Sequence, residues 1–186
     1  MYQNVIFDLD GTLLNTLEDL KDSTNYALAQ HSYPTRTLEE VRCFVGNGIR
    51  KLIDRAVPEG TSVEKTDKVF ATFREYYATH SRVKTSMYEG MEQVMDALKE
   101  QNISMAIVSN KADDAVKDLA KYYFAKYIDV AIGEREGISR KPAPDSVYEA
   151  MRLLGATKEN TVYVGDSDVD RATAKNAGIP CISVNW

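Results

Sequence analysis

The scarcity of metal-binding and redox side chains narrows the possibilities first. Only two cysteines, Cys43 and Cys181, and two histidines, His31 and His80, occur among 186 residues. The cysteines show no paired spacing and have no histidine beside them. Neither a disulfide framework nor a thiolate–imidazole zinc centre is expected, and two free, buried thiols in a reducing compartment fit the count. The 23 lysines and arginines are interspersed with 28 aspartates and glutamates, giving a net charge of -5. No basic stripe of the kind that tracks nucleic acid is present. Apolar runs are short: Val5-Ile6-Phe7 ends at Asp8. No stretch reaches transmembrane length or follows the basic start of a signal peptide. The expectation is a cytoplasmic protein with neither a nucleic-acid nor a membrane partner, and its oligomeric state is not legible.

The chain does have the means to fold. Hydrophobic residues make up 44% and charged residues 27%, enough for a packed core. The length suits one domain, or a core with a modest insert. Five Val/Ile-rich runs, Asn4–Leu9, Ser104–Ser109, Asp129–Gly133, Thr161–Gly165 and Cys181–Asn185, have the continuous apolar character of strands buried on both faces. Helical spacing appears between them. Met91-Val94-Met95-Leu98 follows Gly90, Val147-Met151-Leu154 stops at Gly155, and Ala172–Ala177 stops at Gly178 with Pro180 beyond. Strand alternating with helix predicts an α/β fold with a doubly wound parallel sheet.

Residues 16–85 break that rhythm. Helical stretches near Leu17–Gln30, Leu38–Val45, Ile49–Val57 and Val63–Thr79 are separated by proline and glycine turns, with no convincing strand. The predicted organisation is therefore an α/β core from residues 1–15 and 86–186, with a helical insert at 16–85. An insert leaving directly after the first strand is expected to cap the carboxyl edge of the sheet, where open α/β sheets bind ligands.

Four motifs carry candidate chemistry. In Asp8-Leu9-Asp10-Gly11-Thr12 the alternating carboxylates face one way, and two like charges so close call for a cation or a proton between them. The same five residues also suit an ordinary acidic turn. Ser109-Asn110-Lys111 ends the second strand, where a hydroxyl and backbone N–H groups can hold a phosphate oxygen, or simply cap a helix. Lys141, stiffened by Pro142, is a candidate to neutralise phosphate, although an isolated lysine is more often a surface charge. Gly165-Asp166-Ser167-Asp168-Val169-Asp170 places three carboxylates within five positions, the chemistry of a hard-cation site, with one of the three free to cap the next helix. A parallel sheet brings all four motifs to one edge.

Taken together, Phe7-Asp8-Leu9-Asp10-Gly11-Thr12-Leu13, Ser109-Asn110, Lys141-Pro142 and Gly165–Asp170 resemble, in order and spacing, the motifs of the haloacid-dehalogenase superfamily of aspartate-nucleophile hydrolases. The insert resembles that superfamily's C1 cap. Ser109-Asn110-Lys111, Lys141-Pro142-Ala143-Pro144 and the Val45-Gly46-Asn47-Gly48 turn look most like the phosphoglycolate phosphatase branch. The resemblance implies a phosphatase of small phosphate monoesters, with Asp8 as nucleophile and Asp10 as general acid and base. It implies magnesium, Mg²⁺, held by Asp8, Asp10 through its backbone carbonyl, and Asp166, with Asp170 as an indirect or water-mediated partner. Ser109, Asn110 and Lys141 would bind the phosphoryl group, with Gly11 and Thr12 beside them. Asp168 is expected to be a helix cap or surface charge. The second aspartate, Asp10, favours phosphoryl transfer over carbon–halogen cleavage. A phosphotransferase of the β-phosphoglucomutase type and a pyrophosphatase are the alternatives. Asn47 and Arg50 are candidate substrate contacts in the insert, with ordinary exposed charge an equal reading for Arg50. Tyr122, Tyr123, Phe124 and Tyr127 are expected to be core packing, and His31 and His80 to lack partners.

Overall fold

A computed structural model describes residues 2–186 of the chain. The elements run β1 (Asn4–Phe7), β2 (Leu14–Asn15), α1 (Leu17–Gln30), α2 (Leu38–Phe44), α3 (Ile49–Ala56), α4 (Val63–His80), β3 (Ser86–Met87) and α5 (Met91–Glu100). They continue with β4 (Ser104–Ala112), α6 (Asp113–Phe124), β5 (Val130–Glu134), α7 (Asp145–Leu154), β6 (Thr161–Gly165), α8 (Asp168–Ala177) and β7 (Cys181–Ser183). Among the described residues no helix is long and apolar enough to cross a membrane. The chain divides into two compact units, Asn15–Ser86 and the remainder.

The α/β unit is built on a five-stranded sheet of order β5-β4-β1-β6-β7. Its pairings are parallel throughout, and Asn4 sits opposite both Ser104 and Thr161. Side chains alternate across the sheet, so β1 feeds both faces. Val5 and Phe7 join Met95, Ile107, Val116, Leu119 and Phe124 on one side. Ile6 joins Ala106, Val108, Val147, Tyr163 and Ala174 on the other. A sheet covered on both faces explains why its strands read as unbroken apolar runs. The Lys141–Pro142 peptide is cis.

Two departures from the sequence reading stand out. The second predicted strand continues past Ser109 to Ala112, because Ala112 still pairs with Glu134 of β5 across a register shift. In addition, β2 and β3 form a two-stranded ribbon, each too short to show a period of two.

The other unit contains α1–α4, packed around Leu20, Leu28, Val41, Leu52, Ile53, Val69 and Phe73. Thr37 and Glu40 close a reciprocal capping box at the start of α2. Its entry and exit are tied together by Asp19. This buried carboxylate accepts the Lys84 N–H at 2.9 Å, the Thr85 N–H at 2.8 Å and the Thr85 hydroxyl at 2.8 Å. The histidines do have partners. His31 Nε2 lies 2.9 Å from the Thr72 hydroxyl, and the His80 ring stacks on Tyr76. The thiols are free, but Cys43 is exposed and Cys181 half-buried, contrary to the expectation of burial. Phe124 and Tyr127 are core residues as expected, whereas Tyr122 turns outward.

Candidate active site

The chain leaves β1 at Asp8, whose N–H donates to Val164 O on β6 at 2.9 Å, so the sheet fixes this residue directly. The turn that follows closes on Leu9 O, which accepts from Leu13 N and Leu14 N at 3.0 Å. Gly11 lies in this turn at φ 89°, and a Cβ there would come within 2.5 Å of Asp166 Oδ2. Only glycine permits both that backbone and that approach. The Thr12 hydroxyl donates to Asp166 Oδ1 at 2.9 Å, and the residue is fully buried. Its side chain therefore orients Asp166.

Gly165 ends β6 and plays the same part for Asp170. A Cβ at Gly165 would lie 2.4 Å from that of Asp170. Ser167 caps α8, its hydroxyl accepting from Asp170 N at 3.3 Å. Asp170 Oδ2 returns the bond, accepting from Ser167 N at 3.0 Å and from the Ser167 hydroxyl at 2.5 Å. Asp168 is thus not the cap. It opens the helix and pairs with Arg171 on the surface.

On the other side of β1, Ser109 and Asn110 lie within β4, both buried. The Ser109 hydroxyl accepts from Lys111 N at 3.2 Å. The Asn110 amide docks on the Lys141 backbone, accepting its N–H at 2.9 Å and donating to its carbonyl at 3.1 Å. This clamp holds the loop before α7 so that Lys141 points into the site. The ammonium, 4% exposed, lies 2.7 Å from Asp8 Oδ1, 2.7 Å from Asp170 Oδ1 and 3.1 Å from the Tyr163 hydroxyl. Lys111, also buried, reaches both oxygens of Asp10.

The electrostatics follow from crowding. Asp8, Asp166 and Asp170 each offer an oxygen within 4.8 Å of the others. One ammonium cannot balance three carboxylates. Burial, only partly offset by Lys141 and aggravated by Asp170, pushes Asp8 up to about 7. Burial also raises Asp166, against the pull of the Thr12 hydroxyl. For Asp170 burial acts upward too, but Lys141 and the Ser167 bonds outweigh it and hold it below the usual carboxylate range. Lys141 is held well above the usual lysine range. Burial opposes this, but the charge of Asp8 and its other partners prevails. Three oxygen donors with excess negative charge fit a small divalent cation such as Mg²⁺. Both Asp170 oxygens already accept several bonds, which favours Asp8 and Asp166 as the direct donors.

Among the residues singled out from sequence, Asp8, Asp10, Gly11, Thr12, Ser109, Asn110, Lys141, Asp166 and Asp170 all belong to the α/β unit. Asn47 and Arg50 belong to the helical one. There Asn47 Oδ1 accepts from Arg55, and Arg50 pairs with Asp54 and Asp67. The sequence reading left Tyr163 unremarked and gave Lys111 no partner. Tyr163 is hidden in an apolar strand, and Lys111 meets Asp10 only through the fold. Ser167 was findable, since a hydroxyl three residues before a carboxylate is a capping signature. A separate groove of about 850 Å³ beside β5, lined by Ala120, Ile128, Ala131 and Leu153 among others, contains none of these site residues.

This arrangement of sheet and carboxylates can be set beside known proteins. Residues 5–184 match the family model for haloacid dehalogenase-like hydrolases. The chain belongs to that family. Phosphoglycolate phosphatase 1 of Pseudomonas aeruginosa is 33% identical over 188 residues, covering 98% of this chain and 69% of that protein. A provisionally named pyrophosphatase, PpaX of Caldanaerobacter subterraneus subsp. tengcongensis, is 31% identical over 98% of this chain and 81% of its own length. Among solved structures, a provisionally named phosphoglycolate phosphatase from Lactobacillus delbrueckii subsp. bulgaricus superimposes with a TM-score of 0.93 at 34% identity. That match covers 100% of this chain and 87% of the other.

Proposed function

We propose that this protein is a Mg²⁺-dependent phosphatase of small phosphate monoesters, with phosphoglycolate the leading substrate, acting through phosphorylated Asp8. The observation that carries this reading is the contact of Asp8 Oδ1 with Lys141 at 2.7 Å, inside a cluster with Asp166 and Asp170. A buried carboxylate beside a lysine and two further acids is poised to attack a phosphoryl group brought in with a cation. The names of the relatives favour the substrate class.

Asp8, Asp166 and the backbone carbonyl of Asp10 would hold Mg²⁺, which supplies positive charge against the repulsion between carboxylate and phosphate. The chain's own residues do the rest. An Asp8 oxygen attacks phosphorus as the ester P–O bond breaks, and Asp10 gives its proton to the departing alcohol oxygen. Asp10 then takes a proton from water, whose oxygen attacks phosphorus. The Asp8–phosphorus bond breaks, inorganic phosphate leaves and Asp8 is restored. Lys141, the Ser109 hydroxyl and the Asn110 N–H neutralise and orient the phosphoryl oxygens, with the electrostatic logic of other phosphoryl transfers. Asp170 and the Asn110 side chain keep Lys141 in place. In this reading the helical unit, through residues such as Asn47 and Arg50, acts as a cap that selects the leaving group, and the enzyme works in the cytoplasm.

The test is phosphate release from a panel of esters, with Mg²⁺ and with chelator. The panel includes phosphoglycolate, pyrophosphate, hexose phosphates, nucleoside monophosphates and an aryl phosphate. Release that needs Mg²⁺ and is fastest with phosphoglycolate supports the reading. Hexose-phosphate isomerisation without net release would replace it with a mutase.

A further inference from the structure

The ammonium of Lys141 has three N–H donors and no acceptor. Three oxygens meet it: Asp8 Oδ1 and Asp170 Oδ1, each at 2.7 Å, and the Tyr163 hydroxyl at 3.1 Å. Because the lysine can only donate, the phenol oxygen accepts from it. The phenol's own proton then goes to Asp170 Oδ1, 3.1 Å away. The three residues form a closed, fully paired triangle, with Asp8 as the lysine's third partner. Tyr163 is 0% exposed on β6, and its ring is packed in the cluster that contains Ile6, Val147 and Ala174.

We infer that Tyr163 is a positioning residue for Lys141: with Asp170 it fixes two of the three ammonium N–H groups. Only the third is then left to move from Asp8 to an incoming phosphoryl oxygen. This rests on the phosphatase reading. Asp8 is the partner whose charge is consumed when it bonds to phosphorus, whereas Asp170 keeps its charge and Tyr163 its hydroxyl. Without the hydroxyl, the buried ammonium has one N–H with no acceptor, and once the Asp8 contact is given up only Asp170 holds it.

Tyr163→Phe retains the ring and removes the hydroxyl's two hydrogen bonds, one from Lys141 and one to Asp170. In the 186-residue chain with Mg²⁺, its melting temperature should stay within a few degrees of wild type. Its affinity for inorganic phosphate, and kcat/KM on the best ester, should each fall about tenfold, as expected for one lost hydrogen bond to a charged group. The deciding comparison repeats the phosphate titration with Lys141→Met. There Tyr163→Phe should leave phosphate affinity unchanged, because the hydroxyl acts on phosphate only by positioning the lysine, whatever its bond to Asp170 adds to stability. An equal tenfold loss in both backgrounds overturns the inference and makes Tyr163 a packing residue. Lysine ¹⁵N NMR tests the contact on the wild-type chain itself. A slowly exchanging ammonium signal that disappears in Lys141→Met supports the triangle, and rapid exchange overturns it. If wild type binds no phosphate and hydrolyses no ester, the phosphatase reading fails, while the NMR measurement repeated on Tyr163→Phe still decides whether Tyr163 holds Lys141: faster exchange there supports it and unchanged exchange overturns it.

Discussion

Lys111 Nζ donates to both carboxylate oxygens of Asp10, at 2.9 and 3.0 Å. The lysine side chain is 2% exposed and the aspartate 27%, so a buried cation anchors a carboxylate that still opens to solvent. Truncating the lysine leaves Asp10 mispositioned, while the aspartate's exposure lets water solvate its carboxylate. In the proposed mechanism Asp10 must meet the leaving oxygen, so a misplaced Asp10 slows the chemical step. Lys111→Met is expected to lower kcat about tenfold with little change in melting temperature, as read by steady-state kinetics beside a thermal scan. Unchanged kcat would mean that the pair does not position Asp10.

The glycine at 165 makes room for Asp170. A methyl group there would lie 2.4 Å from Asp170 Cβ and 2.5 Å from its Cγ, both within the same unit. Gly165→Ala is expected to destabilise the protein by about 2 kcal/mol through overpacking. It should also weaken Mg²⁺ binding, because the first turn of α8 carries Asp170 away from Lys141. Denaturant unfolding and a calorimetric Mg²⁺ titration read the two effects separately.

Asp8 gives a pH dependence of defined sign. Its folded pKa is raised from 3.8 to about 7, so between these values the folded chain binds more protons than the unfolded one. Stability from this group therefore falls as pH rises through that window. Asp8→Asn lacks the titration. With chelator present, wild type should lose stability relative to Asp8→Asn between about pH 4 and pH 7, with a flat difference on either side. Urea midpoints measured at half-unit steps check this, and a difference that grows in the opposite direction contradicts it.

In the helical unit, Asp19 is the acceptor that closes the two ends of the insert. Asp19→Ala leaves the Lys84 and Thr85 N–H groups and the Thr85 hydroxyl without their acceptor. The expected loss is about 3 kcal/mol. It should appear as a lower urea midpoint and as faster proteolytic cleavage around residues 81–86. A change below 0.5 kcal/mol, within the range of an ordinary surface substitution, would mean that water replaces the carboxylate.

The α/β architecture was legible because its central strands β1, β4 and β6 are buried on both faces, although the edge strand β7 is largely exposed. Val and Ile runs such as Asn4–Phe7 and Thr161–Gly165 announce themselves by composition alone. The polar end of β4 was not legible, since Ser109, Asn110 and Lys111 are poor strand formers that lie where the β4–β5 register shifts, before Ala112 pairs with Glu134. The acidic groups at the ends of β1 and β6 were legible as local clusters. Their supporting contacts were not, because Lys111 reaches Asp10, and the Asn110 side chain reaches the Lys141 backbone, across long stretches of chain. The bond from the Thr12 hydroxyl to Asp166, 154 positions along the chain, was likewise out of reach of local motif reading.

The most direct test of the phosphatase account is chemical trapping of residue 8. The wild-type chain with Mg²⁺ would be mixed with its best phosphate ester, quenched within one turnover, reduced with borohydride and mapped by mass spectrometry. A phosphorylated Asp8 becomes homoserine on reduction, so the peptide containing residue 8 should carry that mass change, lost when chelator replaces Mg²⁺. Rapid turnover with an unmodified Asp8, or with the label on another carboxylate, would contradict the assignment of Asp8 as the nucleophile.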